Sequence, residues 1–515
     1  MREKLFLLLI IIFGVAIRLV NLHQPPVEWF PTRQVMDLDI IRSFYLNETT
    51  FLRPVVHNFA RPGYLLQEFP LLWWGIAQLM KLAGEFSTSL ARLGIIAFYP
   101  LLSIAIYKFQ SLFFSDKLSR LLPVALLAVL PLSIIQSRSI QPEYPMITMM
   151  VWAFVLWVRY LKNSKARNVV LSSILSVGSV LMKLTNVYLL APMAVAVLIN
   201  RKNQSKYIWV TFLTLAMITI FSLYIWWFMV ISPVRATTPS SFDAVWRKDY
   251  LLSIFLIYSR DYLFWKGLLD NLVVATATNI GVLLFLLSLF YLIIDFRKKS
   301  TKAKIYSSLI LSWGLSVGLM LVIMSGNSLQ EYYFTSLLPP VTLGISYSIY
   351  KITLNLNNRW WRYPTVFFLL ILISWRSYLF VQPKLALELD KQSLLINEVK
   401  GLVPKDDSLV LISNVSPPLH GFYLDRWTIP INFLPAQMTK RDLAEYKYLS
   451  SGDNWINKSP EVQLTELMAK NYRYLVVTDL ETFKNEKELK RHVLNSYCLL
   501  WTDERGYIFE LLPCI

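Results

Sequence analysis

The feature that most limits what this chain can fold into is a recurring stretch of about 17 to 25 apolar residues, long enough at about 1.5 Å per residue to cross a bilayer as a helix. Hydrocarbon supplies no partner for a backbone N–H or C=O, so each stretch must close its own hydrogen bonds. Windows of this length lie near 5–22, 88–113, 119–137, 143–161, 167–182, 186–200, 207–232, 273–296, 304–325, 333–351 and 363–381, eleven in all. Composition agrees, since 55% of the 515 residues are hydrophobic and the mean hydropathy is +0.46. The fold class expected is an α-helical polytopic membrane protein.

A formal charge of +18 raises the question of nucleic acid. The placement of the cations answers it. Lys117 and Arg120, Lys162, Lys165 and Arg167, Arg201, Lys202 and Lys206, Arg297 to Lys304, and Arg359 with Arg362 sit in short clusters between apolar runs. That is the pattern of cytoplasmic loops, and it argues against nucleic acid as a partner. The first run begins with Arg2 and Lys4, lacks a small-residue cleavage site and carries Arg18 near its end, so it reads as a retained span with a cytoplasmic N-terminus. An odd number of spans then puts the C-terminal segment outside, in a multi-pass protein of the plasma (inner) membrane.

Two segments break the series: a first outer loop at 21–87 and a tail at 385–515, the latter separated from a membrane domain at 1–384. The loop concentrates Glu28, Arg33, Asp37, Asp39, Arg61 and Glu68 among prolines and aromatics. Within it, Met36, Ile40 and Phe44 share one helical face, which predicts a helix lying on the membrane surface. Residues 71–82 are apolar but reach only about 20 Å, too short to cross. In the tail, 409–414, 472–479 and a pair flanking 503–506 read as strands and 461–470 as a helix, a small extracytoplasmic α/β domain. It has no phosphate loop, nucleophile elbow or metal-ligand spacing. Cys498 and Cys514 are free to pair in such a compartment.

Several outer residues have a chemical reading beside a structural one. Glu28, held by the prolines of PPVEWFP, suits a general base or a solvated loop acid. Arg33 with Gln34 suits a phosphate clamp or a headgroup anchor. Glu68 in QEFP and Glu143 in QPE suit helix starts, or supporting acids together with Asp37 if the loops converge. Lys183 lies against the charge bias, as an anion binder or a snorkelling lysine. Tyr332 and Tyr333 belong to an aromatic belt or stack on a sugar. The four histidines show no ligand spacing, and no metal is assigned.

Taken in order, the retained span, the acid followed by TRQ, then EFPL, QPE, MKLT and EYY before a proline-ended run resemble the GT-C membrane glycosyltransferases. The likeness is to bacterial relatives of the protein O-mannosyltransferases and of the lipid A aminoarabinose transferase, over roughly the first 350 residues. The resemblance implies an inverting transfer of a sugar from a polyprenyl-phosphate donor to a hydroxyl of a lipid, glycan or protein acceptor on the outer face. It implies Glu28 as catalytic base, and Arg33, Gln34, Lys183, Tyr332 and Tyr333 as donor-binding residues. Arg61 is added on charge. Glutamate replaces the family's usual aspartate, and Phe30 stands where many relatives have histidine. No cofactor is required, although the outer acids are compatible with a loosely held divalent ion. The rival classes are a flippase of polyprenyl-linked sugars, disfavoured because charges gather at one face, and a non-catalytic assembly subunit.

Overall fold

The computed structural model describes residues 2–56, 68–199, 206–231, 255–256, 258–297, 301–324, 330–356, 359–389, 394–413, 417–431 and 458–513. Arg61, Cys514 and most of the loop expected between 232 and 271 lie outside them. Helix α1 (Arg2–Arg18) opens the chain, α2 (Pro31–Tyr45) and α3 (Leu71–Ala83) form the first loop, and α4 (Thr88–Ile96) runs on into α5 (Phe98–Ser111). Then follow α6 (Lys117–Val129), α7 (Pro131–Gln136), α8 (Glu143–Asn163), α9 (Ala166–Met182), α10 (Leu190–Ile199), α11 (Lys206–Ile225), α12 (Tyr262–Asp270), α13 (Thr278–Arg297), α14 (Thr301–Ile323), α15 (Leu338–Leu354) and α16 (Arg362–Leu385).

Six helices among the described residues are long and apolar enough to span a membrane: Thr88–Ser111, Glu143–Asn163, Tyr207–Val230, Thr278–Arg297, Lys302–Ile323 and Arg362–Leu385. The other expected spans are helical but shorter or interrupted. The window 119–137 breaks before Pro131, whose ring nitrogen carries no hydrogen, and the windows 167–182 and 186–200 are joined through a 3-10 turn at Leu184–Leu189. The span near 333–351 likewise starts as a 3-10 turn, Glu331–Leu337.

Arginines hold these broken ends together. Pro131 cannot donate to the Leu127 carbonyl, and Arg18 does so instead (3.1 Å), while also donating to the carbonyls of Ala128 (3.3 Å) and Gly14 (2.7 Å) and to Ser133 Oγ (2.9 Å). Its guanidinium lies 3.7 Å from the Tyr99 ring centroid. A side chain at Gly14 would overlap the Tyr99 hydroxyl, so glycine permits this approach. Arg138 in turn donates to the carbonyls of Val20 (2.6 Å) and Asn21 (2.8 Å) beyond α1. Helix C-termini expose such carbonyls and carry partial negative charge, which makes a buried cation there tolerable.

The C-terminal segment adds α17 (Ile396–Leu402), α18 (Pro417–Leu424), α19 (Pro460–Ala469), α20 (Leu480–Asn485) and α21 (Lys487–Ser496) around a five-stranded sheet. Its strands are β1 (Leu409–Ile412), β2 (Thr428–Pro430), β3 (Tyr474–Val477), β4 (Cys498–Asp503) and β5 (Gly506–Glu510), in the order β2-β1-β3-β5-β4. β1 runs parallel to β2 and β3, whereas β5 is antiparallel to β3 and β4. The fully buried β1 and β3 read as continuous apolar runs, as strands covered on both faces do.

The first-loop helix departs from expectation. α2 is covered by protein rather than solvated, since eleven of its fifteen residues, Gln34 through Phe44, are buried. The polar face assigned to water packs instead beneath α18, with Arg42 reaching the Phe422 carbonyl.

His420 in α18 is buried, its Nε2–H donating to the Leu394 carbonyl (2.9 Å) and its Nδ1 accepting from Ser413 Oγ (3.1 Å), which in turn accepts from Thr478 (3.0 Å). Burial pushes this imidazole down to about 4. A depressed pKa contributes stability above the unfolded value of about 6.5 and loses it as pH falls toward the folded one. Thermal unfolding of the full chain is therefore expected to show a loss of about 2 kcal/mol between pH 7 and pH 5, and His420→Asn should remove that component.

Candidate functional site

One end of the bundle gathers five charged side chains from four separate segments. Arg33 comes from the first turn of α2 and Asp37 from the next; Glu68 precedes α3; Glu143 opens α8; Lys183 closes α9. Pro142 and Glu143 suit a helix start, where a missing N–H costs nothing and a carboxylate meets the positive end of the dipole. Phe69 N–H donates to the Leu181 carbonyl (2.9 Å), which fixes the Glu68 strand of chain beside the end of α9.

The pairing is shared rather than one-to-one. Arg33 Nε stands 3.2 Å from Asp37 Oδ2 and its Nη2 2.5 Å from Glu68 Oε2. Lys183 Nζ is paired with Glu143 Oε1 and also faces the rings of Tyr332 and Tyr333, 4.3 and 4.5 Å from their centroids. Phe30 closes this aromatic wall edge-on against Tyr332 at 5.1 Å, with a left-handed backbone (φ +49) that starts α2. Among the described residues, Glu143 Oε2 and the Gln141 amide have no hydrogen-bond partner, which leaves polar capacity in the cluster.

Burial and mutual repulsion act on these groups. Desolvation pushes Asp37 well above the usual carboxylate range, and the charges of Glu68 and Glu143 push the same way, more than Arg33 and Lys183 can offset. Burial alone would lower Arg33, but Asp37, Glu68 and Glu143 together hold it above its ordinary value. With two cations and three acids, the cluster keeps Arg33 and Lys183 charged where a phosphate could meet them. The side chains of Arg33 and Glu68 each keep 11% exposure, against 0% for Asp37 and 1% for Glu143.

Glu28 belongs to a different set. Both its oxygens accept from Arg92, Oε2 at 2.9 Å from Nη2, and neither side chain is accessible. Arg92 also donates to the carbonyls of Gln24 (3.1 Å), Pro25 (3.3 Å) and Arg138 (3.3 Å), so this pair knits the loop to α4 and to the turn after α7. The acid expected as the loop base is thus engaged here as a buried counter-ion to Arg92, apart from the charged cluster. Gln34 is engaged likewise. Its amide donates to the Trp29 carbonyl (2.8 Å) and its oxygen accepts from Ile140 N–H (3.0 Å), a brace rather than a free donor to phosphate.

Arg92 and Arg138 escaped the sequence reading, though a signal existed: an arginine inside an apolar run needs a named partner, and Glu28 was available. Among the described residues, no three His, Cys, Asp or Glu side chains are arranged to hold a metal ion. An apolar cavity of about 460 Å³ between α1, α6 and α16, lined in part by Phe13, Val129, Leu370 and Trp375, shares no residue with the charged cluster.

Residues 67–227 match the family described as dolichyl-phosphate-mannose-protein mannosyltransferase. Among solved structures, ArnT from Cupriavidus metallidurans, crystallised with undecaprenyl phosphate, is similar over 98% of both chains at 12% identity (TM-score 0.61). The Archaeoglobus fulgidus oligosaccharyltransferase is similar over 91% of this chain and 69% of its own at 12% identity (TM-score 0.57). The mycobacterial arabinofuranosyltransferase AftD is similar over 99% of this chain and 40% of its own at 11% identity (TM-score 0.53). Among curated proteins, no sequence matches this one.

Removing the Glu28 charge leaves Arg92 buried without compensation. Glu28→Gln is expected to cost about 3 to 5 kcal/mol in thermal unfolding of the detergent-solubilised protein, with Glu28→Gln/Arg92→Met recovering much of the loss.

Proposed function

We propose, from the premise that this chain has the fold of the GT-C membrane glycosyltransferases, that it transfers a sugar from a polyprenyl-phosphate carrier to a hydroxyl of a lipid, glycan or protein acceptor at the outer face of the membrane, with inversion at the anomeric carbon. The observation that carries this reading is the convergence of Arg33 and Lys183 with three carboxylates at one end of the bundle. Two relatives support the class of substrate: ArnT was crystallised with undecaprenyl phosphate, and the matching family is described by a dolichyl-phosphate sugar.

In the proposed step, the acceptor oxygen attacks the anomeric carbon, the bond from that carbon to the carrier's phosphate oxygen breaks, and the electron pair leaves with the phosphate. Arg33 and Lys183 neutralise the departing charge, a contribution that grows in a partly dry site. Glu68 takes the acceptor proton, because it combines access with proximity to the cations. When the donor's phosphate competes for Arg33, the Glu68 carboxylate is released from its ion pair and is free to face the acceptor. Asp37 and Glu143 hold Arg33 and Lys183 in place. Tyr332 and Tyr333 provide faces on which a sugar ring can rest. The two cations serve in place of a metal ion.

The test is transfer of a labelled sugar from a polyprenyl-phosphate donor by full-length protein in proteoliposomes. Glu68→Gln should lower kcat by about 10² to 10⁴, the range of general base catalysis, and Arg33→Met should lower it comparably. The Glu28→Gln rate, normalised to folded protein, should stay within about threefold of wild type, a small fraction of a catalytic loss. Full activity in Glu68→Gln, or no transfer by wild type from any polyprenyl-phosphate sugar, would overturn the proposal.

A further inference from the structure

Helix α2 presents two charged groups at opposite ends. Arg33 and Asp37 face the candidate site, while Asp39 and Arg42 stand on the last turns. Arg42 is 8% exposed, and its ties lead out of the helix. Its guanidinium pairs with Asp39 Oδ1 (2.6 Å) and with Asp425 Oδ1 (3.1 Å), donates to the Phe422 carbonyl (3.3 Å), and lies 4.8 Å from the Phe422 ring centroid. Asp425 follows α18 in a left-handed conformation (φ +58), a turn short polar side chains tolerate and one that brings its carboxylate to Arg42. The Phe422 ring meets Phe86 (6.5 Å), which in turn meets Tyr45 at the end of α2 (5.9 Å). The next residue, Tyr423, feels the charges of Arg92 and Glu28 and is pushed by burial to about 12. One short helix of the C-terminal segment therefore touches the end of α2 and lies within electrostatic reach of the Glu28–Arg92 pair.

We propose that Phe422 and Asp425 latch onto Arg42 and so set the position of Arg33 and Asp37, which makes Arg42 and Asp425 positioning residues for the site. Nine residues separate Arg33 from Arg42, about 13.5 Å of helix. A packed helix of that length moves as a rod, so a shift at its latched end reappears at Arg33. The other end has no side-chain cap and is held by the hydrogen bonds of Gln34 and the Arg33–Glu68 ion pair. Arg33 meets Glu68 at 2.5 Å, a contact that a shift of about 1 Å would break.

The catalytic part of this inference rests on the proposed function, and the test keeps the two apart. Full-length Arg42→Ala, Asp425→Asn and Arg42→Lys proteins are compared with wild type in proteoliposomes by amide hydrogen exchange over residues 33–38, by sugar transfer, and by melting temperature. The expected result is exchange about tenfold faster in Arg42→Ala and Asp425→Asn, with kcat reduced about 10- to 100-fold, as for a misplaced catalytic group. The KM for donor should change little; the melting temperature should fall in Arg42→Ala, which strands buried Asp39, and change little in Asp425→Asn, whose carboxylate is half-exposed, and Arg42→Lys should restore part of the rate. Exchange and kcat both at wild-type values in Arg42→Ala would overturn the latch. Absence of transfer by wild type would remove the proposed function instead, and the exchange measurement would still decide whether α2 is held from the C-terminal segment.

Discussion

Three buried guanidinium groups hold the site end of this protein together. Arg18, Arg92 and Arg138 are each fully buried, and a single carboxylate, Glu28, is paired with one of them. An isolated cation in such surroundings would be prohibitively unstable. What compensates it is backbone: the carbonyls left without donors where α1 ends, where Pro131 breaks the helix after α6, and where the first loop turns at Gln24 and Pro25. The arginines need those helix ends, and the helix ends need the arginines. Planar guanidinium forks can serve several carbonyls at once, which an ammonium group could not do with the same geometry.

This framework separates the acids into two kinds. Glu28 with Arg92 is a closed pair whose desolvation is balanced by geometry. Arg33 and Lys183 are shared, the first between two acids and the second between an acid and two aromatic rings. Shared cations can exchange one anionic partner for another at modest cost, whereas breaking a closed buried pair strands a charge. The proposed transfer, which releases an anionic leaving group, accordingly uses the second kind.

The position of α2 links these charges to the rest of the chain. Buried beneath the C-terminal segment, it carries site residues on a surface that would otherwise face lipid headgroups or water. At 11 to 12% identity to the solved structures it resembles, few side chains are shared, yet the overall fold is similar. Burial pattern and helix length are satisfied by many sequences, while the ion pairs are particular to each.

The sequence by itself determined the membrane-embedded helical class and the mixed helix and strand character of the tail, because these follow from residue periodicity along the chain; it did not show that the runs at 119–137, 167–200 and 333–351 are interrupted. It also brought Arg33, Asp37, Glu68, Glu143, Lys183, Tyr332 and Tyr333 into consideration, each as an ionisable or aromatic group at the same end of successive runs. It did not determine which of two loop acids meets a buried arginine. Glu28 and Glu68 look alike as loop acids, and only the packing of α4 against the first loop, which brings Arg92 onto Glu28, distinguishes them. Nor did periodicity reveal that the polar face of α2 is covered, since a face that turns away from lipid looks the same in sequence whether water or another segment lies over it. Those choices depend on contacts between residues 64 to 383 positions apart, as in Arg92–Glu28 and Arg42–Asp425. Local propensity has no access to such distances, and tertiary packing alone decides them.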